Sequence, residues 1–160
     1  MLPEPVNTYS PVELISLLDK EYENHDTLNI FQHTVQALAL LDRQVRNGGY
    51  IQLIHNKFGE YIFENAWTEP LAYMSAGKLA GNLSAAKTLY VKHVQELERE
   101  MSLKEFSGLY DKFPAFEALH QQYLSIIDDE LQHIQKFIEN NYQYFEVNKK
   151  KRFRRNRTVK

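Results

Sequence analysis

Apolar residues recur along most of this chain at helical spacing, with three to four positions separating one buried side chain from the next. Ser10-Pro11-Val12-Glu13 supplies a cap serine, a proline at the first helical position and a glutamate three residues after the cap, which predicts a helix start. Val12, Leu14, Ile15, Leu18 and Tyr22 mark the buried face of that helix, and Asn24-His25-Asp26 ends it. A second helix is expected over residues 29–46, where Phe31, Val35, Leu38, Leu41 and Val45 form a stripe that Ala37, Ala39 and Leu40 widen. A helix apolar over most of its circumference belongs at the centre of a fold. Asn47-Gly48-Gly49 stops it, since glycine accepts the left-handed conformation of a helix end.

Residues 50–54 have local strand character, but the chain offers no second strand to pair with them, so a short helix or packed loop is expected there. Helical pieces follow over 58–63 and 70–79. A clearer helix covers 84–101, with Ala86, Tyr90, Val94, Leu97 and Met101 on one face. Ser102-Leu103-Lys104-Glu105 repeats the capping pattern, and Pro114 opens the longest helix, which reaches about Tyr144. Neither an internal repeat nor a Pro- or Ser-rich linker interrupts the pattern. The expectation is an all-α fold, a single compact multi-helix domain over residues 8–147.

Composition sharpens this picture. With 160 residues, 43% of them hydrophobic, and with nine Phe and ten Tyr, the chain can bury a sizeable core. Its mean hydropathy is −0.52, and no apolar run approaches the roughly 18 to 20 residues of a membrane span. Met1-Leu2-Pro3-Glu4-Pro5 lacks the charged and apolar regions of a signal peptide, so a cytoplasmic protein is expected. The absence of cysteine excludes disulfides, thiolate zinc sites and thiol nucleophiles.

Charge divides the chain in two. Residues 149–160 carry eight Lys or Arg and no acid, whereas residues 1–148 carry 11 basic and 21 acidic side chains, a net of −10. An acidic body thus precedes a cationic tail, expected to be disordered over 148–160, which suits either binding to nucleic acid, an anionic membrane surface or the protein's own acidic face, or a solvated terminus that aids solubility.

Two Glu-x-x-His pairs, Glu117/His120 and Glu130/His133, carry the spacing used by carboxylate di-iron bundles. Both fall on one predicted helix, 13 residues or roughly 20 Å apart, so they cannot share a dinuclear site within one chain, and no metal or other cofactor is expected. Glu130 sits among Phe116, Leu119, Tyr123, Ile127, Ile134 and Ile138, near the middle of an apolar stripe. A buried carboxylate beside His120 or His133 suits either a general acid or base or a hydrogen-bonded structural pair. Gly77-x-x-x-Gly81 suggests a close helix approach or a helix ending. No phosphate-binding glycine loop or serine-nucleophile motif is present.

The segment Asn47-Gly48-Gly49-Tyr50-Ile51-Gln52, followed by Asn56 and Gly59, resembles the core motif of the bacterial DNA-mimic protein family. The resemblance extends over residues 38–146. It implies an all-α fold and a role in binding other proteins rather than catalysis, with surface carboxylates standing in for DNA phosphates on a transcription factor. Leu53 and Ile54 replace frequent aromatics of that family, Gln44 replaces a common acid, and the basic tail opposes mimicry. The motif itself reads as a fold signature, in which Asn47 and Gln52 satisfy backbone groups around the glycine turn. The contact surface is expected on acidic helix faces, at Glu96, Glu98, Glu100, Asp128 and Asp129. An immunity- or antitoxin-like inhibitor acts by the same mechanics as a mimic and is not separated from it by sequence, and two readings of other classes stay open: a small enzyme using Glu130 with His120 or His133, and an anchor to nucleic acid or membrane acting through the tail.

Overall fold

Capping boxes set three of the helix starts. In the computed structural model, which describes residues 5–147, Ser10 Oγ accepts the Glu13 N–H at 3.2 Å while the Ser10 N–H donates to Glu13 Oε2 at 2.9 Å, opening α1 (Pro11–Tyr22). Asn29 and Gln32 form the same reciprocal pair at the start of α2 (Ile30–His55), a box the sequence pattern had not singled out. After α3 (Gly59–Phe63), a 3₁₀ segment (Ala66–Ala72) and α4 (Gly77–Glu98), Ser102 and Glu105 cap α5 (Leu103–Lys112). The longest helix, α6 (Pro114–Asn140), starts on proline, whose missing N–H costs nothing in a first turn. The expected basic tail at 148–160 lies outside the described residues.

α2 occupies the centre. Val35, Leu38, Leu41, Val45, Tyr50, Ile51 and Ile54 are fully buried, and the helix packs against α1, the 3₁₀ segment, α4 and α6. α6 lies along α4, α2 and α1, and sends Tyr123, Ile127, Ile134 and Ile138 into the same core. Burial on several sides is what the broad apolar circumference of the second helix called for. Among the described residues there is no strand, and no helix is long and apolar enough to cross a membrane.

The structure corrects several boundaries. Helical hydrogen bonding resumes directly after the glycines, so α2 continues to His55 through a sharp break at Gly48 (φ −151°, ψ 19°) and Gly49 (φ 71°, ψ −171°). The pieces expected over 70–79 are the end of a 3₁₀ segment containing Pro70 and the beginning of α4. Gly77 and Gly81 mark neither a helix ending nor a close approach: Gly77 starts α4, and a Cβ at either position would meet open space. The last helix ends at Asn140. The chain there turns through a 3₁₀ turn (Tyr142–Tyr144) that returns Phe145 to the core, where the Tyr22 hydroxyl donates to its carbonyl at 2.7 Å.

Candidate functional site

The Asn-Gly-Gly motif is built from the break in α2 outward. Gly49 has a positive φ, and a Cβ there would stand 2.9 Å from His120 Nδ1 on α6. A Cβ on Gly48 would overlap the Gln52 side chain, and one on Gly59 would overlap the Tyr90 ring. Glycine at 49 is therefore required twice, by backbone conformation and by the helix that crosses it.

Around this break the polar side chains hold one another. Asn47 Nδ2 donates to Gln52 Oε1 at 3.0 Å, Gln52 Nε2 to Gln44 Oε1 at 3.2 Å, and Asn56 Nδ2 to the same Gln44 oxygen at 3.0 Å. The backbone role expected for Asn47 and Gln52 falls instead to Tyr110, whose hydroxyl donates to the Gly48 carbonyl at 2.8 Å. Gln44 needs no charge to accept two amide N–H groups, which explains how an amide serves at this position. Tyr50, fully buried, donates to Asn82 Oδ1, and Asn82 Nδ2 reaches the Leu119 carbonyl at 3.0 Å and Gln122 Oε1 at 2.8 Å. Burial pushes the Tyr50 hydroxyl far above the usual phenol range. The motif thus clamps α2, α4, α5 and α6 together.

Glu130 is 2% exposed, as its place in the apolar stripe indicates. Its Oε2 accepts the Leu79 N–H at 2.9 Å, in the first turn of α4, where Ala76 at the N-cap offers no side-chain acceptor. A carboxylate from α6 thereby caps α4 and faces the positive end of its dipole. His133 Nδ1 lies 3.4 Å from Glu130 Oε1 and 2.9 Å from the Ser75 carbonyl. His120 is on a different neighbourhood of α6, against Gly49, with Glu117 Oε1 3.7 Å from its Nδ1. No group of three or more His, Asp or Glu among the described residues is placed to hold a metal ion.

The acidic residues singled out from sequence fall in two places. Glu96, Glu98 and Glu100 sit at the end of α4, near the start of α6, where Glu96 pairs with Lys112. Asp128 and Asp129 are exposed 14 and 15 residues along α6 from Pro114, which puts them roughly 20 Å away along the helix axis. Asp128 is also partly neutralised, accepting from Arg46 Nη2 at 2.9 Å while Arg46 Nε bridges to Asp42 at 2.8 Å. Sequence reasoning missed Glu60 and Glu64. With Glu98 they act on Tyr90, whose hydroxyl pKa is raised first by burial and then by the charges of Glu98, Glu64 and Glu60. The available signal was their i, i+4 spacing, with Glu60 inside the segment 58–63 and Glu64 directly after it, which places both acids on one face of a helical turn.

A family model described as DMP19-like protein matches residues 26–141, from the connection before α2 to the end of α6. The chain is also 30% identical over 154 residues to the DNA mimic protein DMP19 of Neisseria meningitidis serogroup B (strain ATCC BAA-335 / MC58), a match covering 90% of this chain and 93% of that relative. The matched region contains the whole glycine-break clamp, and the chain belongs to the DMP19-like protein family.

Proposed function

We propose that this protein is a non-enzymatic binding module whose acidic surface occupies the cationic, DNA-binding face of another protein, in the manner of a DNA mimic. The observation that carries the reading is the net charge of −10 over residues 1–148, displayed on a fold of the DMP19-like family. A field of that sign steers association with a basic surface and suppresses binding to nucleic acid. The contact surface is assigned to Glu98, Glu100 and Asp129, with Glu96 and Asp128 contributing through ion pairs that a more basic partner exchanges. Glu60 and Glu64 extend the Glu98 end. The partner class is a DNA-binding regulator, and the place of action is the cytoplasm.

The competing enzymatic reading loses physical support at Glu130. Its Oε2 is committed to the first turn of α4, His120 lies on another stretch of α6 against Gly49, and His133, 3.4 Å from Glu130 Oε1, is itself 2.9 Å from the Ser75 carbonyl. A group so engaged stabilises a helix end and is poorly placed to exchange protons with a substrate.

The test uses the full chain, a chain ending at Val147 and a variant carrying Glu96→Gln, Glu98→Gln, Glu100→Gln, Asp128→Asn and Asp129→Asn. DNA-binding proteins recovered from native lysate at low salt are purified, and their binding to each form is measured with and without duplex DNA. Mutually exclusive binding of DNA and this chain, weakened by salt and by the five substitutions, is the expected result. A ternary complex of partner, DNA and chain would falsify mimicry, and retention of material by the full chain alone would move the function to the tail.

A further inference from the structure

Asn47 is the one asparagine in the sequence that a glycine follows. That pairing carries a chemistry of its own. Because glycine has no side chain to obstruct the approach, its backbone nitrogen can reach the preceding asparagine's side-chain carbonyl carbon and close a five-membered succinimide ring. Asn47 is exposed, so water and hydroxide have access to it.

Two features of the fold hold the reaction back. The non-helical residues inside α2 are Gly48 and Gly49, so Asn47 keeps helical dihedrals, and ring closure requires the peptide between Asn47 and Gly48 to turn out of that setting. Gly48 is pinned from the other side, where its carbonyl accepts the Tyr110 hydroxyl at 2.8 Å. The second feature is Gln52. Its Oε1 accepts from Asn47 Nδ2 at 3.0 Å, and its side chain lies so close over Gly48 that a Cβ there would stand 2.1 Å from the same oxygen. One side chain thus holds the amide that must leave and covers the residue that supplies the nucleophile.

We infer that Asn47 is a deamidation site gated by the glycine break: it reacts when α2 opens there and is protected while the clamp is closed. In the reaction the Gly48 nitrogen loses its proton to hydroxide and bonds to Asn47 Cγ, the Cγ–Nδ2 bond breaks, and the amide leaves as ammonia with a proton from water. Water then opens the succinimide at either carbonyl, giving aspartate at 47 or its isoaspartyl isomer. The balance is amide plus water to acid plus ammonia, with no change of oxidation state. The clamp can take the aspartate. Its carboxylate would face Gln52 Oε1, but Gln52, Gln44 and Asn56 each offer a donor and an acceptor, and turning all three amides reverses their chain of hydrogen bonds toward the new charge. The isoaspartyl product instead adds a methylene to the backbone at the break and shifts Gly49, which already abuts His120. The inference is independent of the partner-binding reading, although the product carries one more negative charge.

The test follows the full chain in mildly alkaline buffer, both folded and unfolded in guanidinium chloride, beside Gln52→Ala and Gln52→Glu variants whose helix content is checked by circular dichroism. Peptide mapping by mass spectrometry counts the acid formed at each asparagine, and isoaspartyl methyltransferase labels the isomer. The expected result is loss of the amide at Asn47 ahead of every other asparagine, several-fold slower in the folded chain than in the unfolded one, since only the opened fraction reacts. Gln52→Ala should speed the loss several-fold in the folded chain, whereas Gln52→Glu, which keeps an acceptor for Asn47 Nδ2, should not. Asn47→Asp should melt close to the parent, and the isoaspartyl fraction at a lower temperature. Equal rates in the folded and unfolded parent, a comparison that needs no variant to fold, would overturn the inference. So would earlier loss at another asparagine, or folded Gln52→Ala and Gln52→Glu chains that react alike.

Discussion

At the scale of single residues, the least replaceable position is Gly49. A positive φ of 71° costs an L-residue about 1–2 kcal/mol, and the Cβ would press on His120 at 2.9 Å. Gly49→Ala should lower the unfolding free energy in urea by about 2–4 kcal/mol. Adding His120→Ala relieves the contact but not the dihedral, so the double variant should be less destabilised than the sum of the singles. Strict additivity would show that the two residues do not press on each other. His120 has a second peculiarity: both ring nitrogens are buried and neither has a hydrogen-bond partner among the described residues. Leaving such groups unsatisfied costs about 1–3 kcal/mol, so His120→Leu, which removes them while filling space, should leave stability unchanged or raise it by about 1 kcal/mol. A loss of several kcal/mol in the same urea titration would mean that the imidazole has a polar role that its surroundings do not display.

At the scale of elements, the helices divide by where their caps come from. α1 and α5 carry their own, so Ser10→Ala and Ser102→Ala should each cost about 1 kcal/mol. α4 borrows its cap from Glu130 on α6. Glu130→Leu leaves the Leu79 N–H unsatisfied in the interior and should cost about 2–3 kcal/mol, whereas Glu130→Gln retains an acceptor and should cost less than half as much. Equal losses for the two substitutions would point to charge rather than capping as the contribution that matters. This contrast also marks what could be read from the chain. Ser-x-x-Glu is a local signal and placed both helix starts correctly, and helical periodicity predicted that Glu130 would be buried. What Glu130 is buried against depends on α4 and α6 meeting 51 residues apart in sequence, which no spacing encodes. The glycine motif divides in the same way. Its left-handed turn was legible, but the resumption of helix after it follows from the fully buried Tyr50, Ile51 and Ile54 packing into the core, a tertiary effect. Glu60 and Glu64 escaped notice because what links them to Glu98 is their common influence on Tyr90, which arises only in the fold.

For the whole molecule, burial of phenols sets an alkaline limit on stability. Tyr22, Tyr50 and Tyr123 are fully buried, and their hydroxyls donate to the Phe145 carbonyl, to Asn82 and to Asp42. Burial raises the pKa of each well above the ordinary 10.0, with nearby acidic groups adding to the effect at Tyr22 and Tyr123. Because the folded values lie above the unfolded one, the stability tied to these protons is fully present below pH 10. As pH climbs past 10 the unfolded chain releases the three protons and the native fold keeps them, so the unfolded state gains. Each retained proton contributes a slope of about 1.4 kcal/mol per pH unit, and three together give about 4 kcal/mol per unit, ending only when pH exceeds the raised folded values. A domain with about 5–15 kcal/mol of total stability should therefore unfold cooperatively within a few units above pH 10. Urea titrations at intervals from pH 8 to pH 12 measure that slope, and Tyr123→Phe should reduce it by about one third while costing stability at neutral pH through the lost bond to Asp42. A stability flat across that range would mean that the phenols ionise in place, and that the clamp joining α2, α4 and α6 opens to solvent without the fold coming apart.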